Sequence, residues 1–307
     1  MKVYILNRLL SFIPVVLGVA TIAFSLIHLL PGDPAQLMLA KSGATGDEIV
    51  ALRAELGLDE PLHVQYLTYM GNVIRGDFGN SIFQNRPVTT IISEVLPNTL
   101  ELAFSALLIS VLFGTVLGVI SAVYQNSWID NVSVLLSVVG VSMPVFWFSL
   151  LMILLFASTL RWLPSTGQGT LRHLILPAAV LGFSFMGTTT RTVRSSLLEV
   201  LQEKYVTTAR AKGLAEQSVI MVHALRNALI PVVTLIGLQF GFLLGGTVIV
   251  ETIFGRQGIG FLLVTAIINK DFPLVQAGIL LSAVLYLTIN LVVDILYGFI
   301  DPRIRYD

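Results

Sequence analysis

The sequence predicts an all-α membrane protein with six transmembrane helices and a small helical extracytoplasmic insert between spans one and two. Of its 307 residues, 55% are hydrophobic and 12% are charged, whereas about a quarter of the residues in soluble domains are charged. The apolar residues form blocks long enough to cross a bilayer, which takes about 20 residues per helix. A transmembrane β-barrel would instead show short segments of alternating polarity.

The first span is an apolar run over residues 9–30, preceded by Lys2 and Arg8. This start is similar to that of a signal peptide. The run is too long for the apolar part of a signal peptide, and Pro31-Gly32-Asp33-Pro34 follows where a small-residue cleavage site would stand. We therefore expect residues 1–30 to be a retained first transmembrane helix.

Residues 31–97 are polar and are predicted to form the insert. Thr45 and Glu48 make a capping box for one helix. A second, amphipathic helix is expected from Pro61 to Gly76, and a third short helix over residues 86–96. Acidic residues outnumber basic ones here, which suits the outer side of the membrane.

The membrane core is predicted over residues 98–300 and contains spans two to six. Pro144 is expected to kink the third span. The fourth span contains a proline and two glycines, so we expect it to be irregular or to line a cavity in part. The predicted spans cover about residues 100–124, 132–160, 173–190, 228–250 and 274–300.

The distribution of lysine and arginine predicts the orientation. The loop between spans four and five, residues 191–230, is rich in cations, and further cations lie at the amino terminus and in the tail, residues 301–307. With six spans all three regions fall on one side, which the positive-inside rule makes cytoplasmic. We therefore expect both termini in the cytoplasm.

Known catalytic and cofactor motifs are absent from the sequence. There is no G-x-x-x-x-G-K-[ST] phosphate loop and no cysteine, and the four histidines are too scattered for a metal site. We expect no enzymatic activity, cofactor, metal or nucleic-acid partner for this chain.

An ion-coupled secondary transporter is the alternative function, because ionisable groups inside spans often mark ion paths. Asp294 is the one ionisable residue expected well inside a span, and Glu101 lies near the mouth of span two. A lone acidic residue is thin support for a coupling site.

Small residues four apart form one stripe on span two and another on span five. The first contains Gly114 and Gly118, and the second contains Gly237, Gly241 and Gly245. Such spacing lets helix backbones approach closely. The stripes indicate tight helix packing, or a pore wall that needs clearance for a bulky solute, and both readings can hold together.

The long loop between spans four and five has a pattern of its own. Between Glu203 and Leu214 the sequence predicts a short helix, a corner at Gly213 and a second short helix on the membrane surface. Such a segment can dock into a cleft of a separate motor protein. A basic helix pair that binds anionic lipid fits the pattern equally well.

The residues of this loop resemble the cytoplasmic coupling loop of the ABC importer permeases for peptides. The matching positions are Tyr205, Thr208, Ala209, Arg210, Ala211, Lys212, Gly213, His223, Leu225, Arg226, Asn227, Ala228 and Pro231. Further matches include Gly76-Asp77-Phe78-Gly79, Pro97-Asn98-Thr99-Leu100 and Asp301-Pro302-Arg303. Together they are similar to the first permease subunit of the dipeptide, oligopeptide, glutathione and nickel group.

The loop departs from the general importer pattern, which begins with Glu-Ala-Ala. Thr207-Thr208-Ala209 fills that position here, and the proline comes later, at Pro231. The departure places the chain in the peptide subgroup. The resemblance implies a type I ABC importer permease fold in which Tyr205, Thr208–Gly213, His223, Arg226 and Asn227 contact an ATPase.

The resemblance also implies the partners and the location. A homologous second permease would complete the translocation path, two P-loop ATPase subunits would bind ATP and Mg, and an extracytoplasmic solute-binding protein would deliver peptide or glutathione. The insert would help to receive that protein, and spans two to five would line the path. The chain would lie, surrounded by membrane lipid, in the bacterial cytoplasmic (inner) membrane.

Overall fold

The computed structural model describes residues 2–29, 33–39, 45–55 and 57–300. In these ranges the regular structure is helical, apart from one isolated antiparallel bridge between Asn80 and Pro87. The helices are α1 (Lys2–Leu29), α2 (Pro34–Leu39), α3 (Gly46–Glu55), α4 (Leu62–Arg75), α5 (Val88–Val123), α6 (Trp128–Ser142), α7 (Val145–Met152), α8 (Leu171–Val200), α9 (Lys204–Ala211), α10 (Glu216–Ser218), α11 (Leu225–Ala228), α12 (Ile230–Gly246), α13 (Val248–Ile253), α14 (Ile259–Asn269) and α15 (Phe272–Ile300). Two π-helical stretches, Ile153–Thr159 and Val219–Ala224, follow α7 and α10. The tail, residues 301–307, lies outside the described residues.

The described helices provide four to six candidate membrane spans. Four of them lie in α1, α5, α8 and α15. Two further spans are bent pairs: α6 with α7 and its π-helical extension, and the segment Glu216–Ala228 with α12. Counting each pair as one span gives the six that the sequence predicts.

The third span is bent where the sequence predicts a kink. Its two halves meet at an angle of 107° at Met143 and Pro144. Met143 has an extended backbone (φ −78°, ψ 122°), as expected of a residue before proline, whose ring disfavours the helical conformation there. The bend therefore separates α6 from α7 completely.

Span two begins earlier than predicted. The expected short helix over residues 86–96 is not separate, because α5 runs without a break from Val88 through Pro97 to Val123. A proline inside a helix removes one backbone hydrogen bond, but neighbouring helices can offset that loss in a membrane protein. Val88 and Ile91 are buried at the start of α5, and this packing favours its continuation.

Span four is regular, which corrects the expectation of an irregular helix. α8 has 30 residues, includes Pro177 and ends at Val200. Val193 and Leu197 lie one turn apart and are both fully buried, so the helix continues ten residues beyond the predicted end. The first cations assigned to the loop, Arg191 and Arg194, consequently belong to α8.

The helices form two compact units. Among the described residues, one contains Leu100–Arg256 and residues 288–300, and the other contains Lys2–Thr99 and Gln257–Leu287. The core of the second unit joins the start of α5 to α14 and α15. Its buried residues are Val88, Ile91, Ile92, Leu262, Ala266, Leu274, Val275 and Ala277.

The polar insert is attached to α1 within the second unit. Tyr66 on α4 shares a hydrogen bond of 2.8 Å with Thr21 on α1, and Gln65 Oε1 lies 3.0 Å from His28 Nε2. α4 ends at Gly76, whose φ of 72° needs glycine. The predicted second insert helix is thereby confirmed with its predicted end.

Candidate functional site

The loop after α8 folds as a helix, a glycine corner and a second helical segment. α9 covers Lys204–Ala211, and the chain turns at Gly213, which has a φ of 79°. This left-handed conformation is strained for other L-residues. Glu216 then begins the segment that leads back towards α12.

One face of α9 is anchored in an apolar cluster. Val206 and Ala209, three residues apart, are buried and face the ends of α5 and α8. A spacing of three residues places both side chains on the same side of a helix. The buried members of this cluster are Ala122, Leu197, Val206, Ala209, Val219, Ile220, Ala224 and Ala228.

Polar contacts join α9 to the segment that follows. Tyr205 Oη accepts a hydrogen bond of 2.7 Å from Asn227 Nδ2 and lies 3.5 Å from the carbonyl oxygen of His223. The structure thus brings together three predicted coupling residues that are up to 22 positions apart. Their exposed side chains form one patch beside the buried face of α9.

A second contact closes the Gly213 corner. The Arg210 guanidinium donates to the Glu216 carboxylate, with a shortest distance of 2.7 Å. The hydrogen bonds to Glu216 raise the pKa of Arg210 above its ordinary value. Arg210 stays cationic, and its charge is paired with that of Glu216 within the corner.

Most of the other predicted coupling residues are exposed. Thr208 donates to the backbone of Lys204 at 3.0 Å, as hydroxyl groups in helices commonly do. The exposed side chains are those of Thr208, Ala211, Lys212 and Arg226. Ala209 alone of the predicted positions points inward.

The glycine stripe on α5 faces α8. A Cβ atom at Gly114 would lie 2.7 Å from Thr189 Cβ, and one at Gly118 would lie 2.6 Å from Val193 Cβ. Real Cβ contacts are not this short, so both positions need glycine for the observed helix spacing.

The stripe on α12 is mixed. A Cβ at Gly237 would overlap the side chain of Val293 on α15, whereas one at Gly245 would have nothing within 4 Å. Gly241 is buried. The two ends of this stripe therefore differ in their surroundings.

Sequence reasoning missed an ion pair inside the first unit. Asp130 on α6 is 3% exposed, and Arg194 on α8 binds its carboxylate at 2.8 and 2.7 Å. The sequence predicts Asp130 in the link before span three, whereas the structure has it in the first turn of α6. The signal was Ser127, which caps the amino terminus of α6 three residues earlier. The side chain of Asp294 lies outside what the structure describes.

A buried polar cluster also escaped the sequence analysis. Gln239 on α12 donates 3.1 Å to Thr189 Oγ1 on α8, and its Oε1 accepts from Ser110 on α5 at 3.3 Å. All three residues are at most 3% exposed. Hydrogen bonds between helices satisfy polar groups that lipid cannot, so this cluster joins three spans.

Metal chemistry has no support in the described residues. Nowhere in residues 2–29, 33–39, 45–55 and 57–300 do three histidine or carboxylate side chains come close enough to hold an ion.

Comparison with known proteins identifies the family. Residues 114–306 match the model described as binding-protein-dependent transport system inner membrane component, and residues 1–103 match the model of its N-terminal part. The chain is 46% identical over 303 residues to the glutathione transport system permease protein GsiC of Salmonella choleraesuis (strain SC-B67), with 99% of each chain covered. It is 44% identical, with the same coverage, to the protein of that name from Escherichia coli (strain K12).

Solved structures share the fold. The inward-facing MetNI methionine ABC transporter superposes with a TM-score of 0.60 at 18% identity, covering 69% of this chain and 97% of that one. An amino acid ABC transporter solved with histidines gives a TM-score of 0.52 at 16% identity, covering 70% of this chain and 94% of that one.

These matches support the importer and give no support to the ion-coupled alternative. They also agree with the type I permease fold and with a multi-pass protein of the inner membrane that works in a complex with other subunits. ATP hydrolysis in such importers is carried by separate subunits. The chain belongs to the family of binding-protein-dependent transport system inner membrane components, the permease subunits of ABC importers.

Proposed function

We propose that this permease forms half of the translocation path for glutathione or short peptides, and that α9 with Gly213 docks into an ATPase subunit. The observation that carries the docking proposal is the two-faced character of α9. Its Val206 and Ala209 side is buried against α5 and α8, and its other side is polar and exposed. A docking element needs both a firm attachment to the spans and a free outer surface.

The substrate proposal is supported by the relatives. Two bacterial proteins named as glutathione transport permeases share 46% and 44% identity with the chain over 99% of its length. Glutathione is itself a short peptide, so dipeptides and oligopeptides belong to the same chemical class. The solute-binding protein sets much of the selectivity, and the substrate of the complex follows from that partner.

The proposed complex contains one further permease, homologous to this chain, and two P-loop ATPase subunits that bind ATP and Mg. A solute-binding protein delivers the substrate from outside. The high share of exposed apolar side chains on the spans, such as Ile22 and Phe104, supports membrane lipid as the surrounding partner.

The proposed topology has both termini, the loop after α8 and the tail in the cytoplasm. The cations of α9 and of the neighbouring α8 end support this orientation. The insert, residues 31–97, then lies outside the membrane and receives the binding protein. Residues 98–300 form the membrane core in this division of the chain.

We propose that Gly114, Gly118 and Gly237 serve helix packing. Their hypothetical Cβ atoms overlap side chains of α8 and α15, which supports close contact between spans. Gly245 has open space beside it, so it is the position of the stripe best suited to a path wall.

Purification of the tagged chain from its native membrane in mild detergent tests the proposal. We expect mass spectrometry to find a second permease and two P-loop ATPases with it. The purified complex in liposomes, with its binding protein, should then accumulate glutathione or a short peptide when ATP is supplied. A chain that purifies alone and transports on an ion gradient without ATP would contradict the proposal.

A further inference from the structure

Asp130 and Arg194 form a two-pronged ion pair in which both oxygens of a buried carboxylate accept a hydrogen bond. Asp130 Oδ1 accepts from Arg194 Nε at 2.8 Å, and Oδ2 accepts from Arg194 Nη2 at 2.7 Å. This two-pronged geometry is the strongest form of an arginine–carboxylate contact. It fixes the direction of both side chains as well as their distance.

Two further donors complete the carboxylate environment. Ser121 at the end of α5 donates to Oδ1, and the backbone N–H of Asn126 in the α5–α6 turn donates to Oδ2 at 2.9 Å. The carboxylate therefore connects the end of α5, the turn, the start of α6 and the end of α8. Removing the charge of Arg194 would leave the buried Asp130 carboxylate without its cationic partner, which is costly. Arg194 itself is partly exposed, with 25% of its side-chain surface accessible.

The pair lies directly beside the apolar cluster that holds α9. Arg194 precedes Leu197 by one helical turn, and Ser121 is next to Ala122. Leu197 and Ala122 both belong to the apolar cluster that holds α9. A displacement of α9 thus reaches the two helix ends to which the carboxylate is bound.

α6 leads from the pair towards the bend of span three. Along its length it packs closely on α8, since a Cβ at Gly140 would lie 2.8 Å from the carbonyl oxygen of Phe183. At its far end the chain bends by 107° into α7. α6 therefore has the ion pair in its first turn and the bend directly after its last residue.

We propose that Asp130 and Arg194 are positioning residues that transmit the motion of α9 to α6, and through it to the bend at Pro144. The inference rests on the proposed docking of an ATPase at α9. The pair then has a role in coupling in addition to its effect on the stability of the fold. Packed helices and ion pairs with two discrete arrangements are the elements through which such coupling travels.

The first test compares the coupling ratio, the solute moved per ATP hydrolysed, in the reconstituted complex. For Asp130→Asn we expect the ATPases to co-purify as they do with the wild-type chain. Solute moved per ATP should fall about tenfold, within the range of couplings between distant sites. Arg194→Lys keeps the charge but loses the two-pronged contact. Its coupling ratio should lie between those of the wild type and Asp130→Asn.

Glu101→Gln is the matched control for stability. Glu101 forms an ion pair with Arg256, whose side chain is 2% exposed, so this change also removes one ion-pair contact of a buried arginine in the same unit. Glu101 belongs neither to the apolar cluster that holds α9 nor to α6. We expect its thermal stability to fall while its coupling ratio stays that of the wild type.

The chain has no cysteine, which permits a restoration test. The double variant Asp130→Cys with Arg194→Cys should be uncoupled like Asp130→Asn. Bridging the two thiols with a short bifunctional methanethiosulfonate should recover coupling without restoring either charge. The same reagent should have no effect on either single cysteine variant.

Three results would overturn the proposal. The first is a wild-type coupling ratio in Asp130→Asn, and the second is an equal loss of coupling in Glu101→Gln. The third is a bridged double-cysteine variant that stays uncoupled. Failure of the ATPases to co-purify with the wild-type chain would instead contradict the docking proposal, so the two failures are distinguishable.

Discussion

Gly118 on α5 and Val193 on α8 lie so close that a Cβ atom at position 118 would stand 2.6 Å from Val193 Cβ and 2.8 Å from the Thr190 carbonyl oxygen. The neighbouring atoms belong to a β-branched side chain and to backbone. Neither can move aside easily, because Val193 is fully buried. The distance between these two spans is therefore set by the absence of a side chain.

We predict that Gly118→Ala destabilises the protein by about 1–3 kcal/mol, the usual cost of adding a methyl group to a packed interior. Thermal unfolding of the purified complex, followed by loss of monodisperse protein on size-exclusion chromatography, measures the effect. Gly245→Ala is the control, since nothing lies within 4 Å of its Cβ position. Equal melting temperatures for the two variants would contradict close packing at Gly118.

The number of spans and the helix-corner-helix geometry of the loop after α8 were accessible from sequence because they depend on local patterns. Apolar blocks predict spans, and a glycine between two short polar helical segments predicts the corner at Gly213. The structure has that corner with a φ of 79°. The kink at Pro144 was predicted for the same reason, since proline acts on its own backbone and on the preceding residue.

Features that depend on tertiary packing were not accessible in this way. α8 continues to Val200 because Val193 and Leu197 pack against other helices. Asp130 is buried because an arginine 64 positions later pairs with it. A single sequence shows neither set of partners, so the expected end of span four was wrong and the Asp130–Arg194 pair was not predicted.

The hydrogen bond from Asn227 to Tyr205 provides a test of how α9 is held. Tyr205→Phe removes the acceptor of this 2.7 Å contact and should cost about 0.5–1.5 kcal/mol, the usual net value of one hydrogen bond. Hydrogen exchange of the α9 amides should become faster in this variant. Asn227→Leu should have the same effect, and the double variant should add little to either single change, because both remove one contact. Additive effects would show that the two side chains act separately.

Tyr69 on α4 gives a prediction about alkaline pH. Its hydroxyl is buried and has no hydrogen-bond partner among the described residues, and burial raises its pKa from 10.0 to about 12. The folded state thus favours the neutral phenol. The stability of the wild type relative to Tyr69→Phe is therefore constant below pH 10 and falls as the pH rises from 10 towards 12.

Tyr69→Phe should remove this late titration step, measured as tyrosinate absorbance against pH. The variant should also be more stable than the wild type by about 1 kcal/mol at neutral pH, because it no longer buries an unpaired hydroxyl. Tyr124→Phe, at a position 53% exposed, is the control for loss of one phenol. A wild-type titration curve in Tyr69→Phe would contradict the assignment.

Substitutions at Gly213 test whether the corner depends on backbone conformation, because there is space for a side chain at this position. Its φ is 79° and nothing lies within 4 Å of its Cβ position, so a side chain is strained there by backbone conformation alone. Asparagine enters the left-handed region more easily than other L-residues. We therefore expect Gly213→Asn to retain most transport, and Gly213→Val to lose more of it.

Gly213→Pro is the extreme member of this series. Proline fixes φ near −65° and removes the N–H that donates 2.9 Å to the Arg210 carbonyl oxygen. The corner cannot then form, although the spans on either side are unchanged. We therefore expect normal amounts of permease in the membrane. Transport should fall at least about tenfold, which corresponds to a coupling loss of 1.4 kcal/mol or more. Counting ATPase subunits that co-purify with each variant shows whether docking or a later step fails. Uptake at the wild-type rate in Gly213→Pro would mean that the corner does not seat an ATPase, because no L-residue is further from the observed backbone than proline.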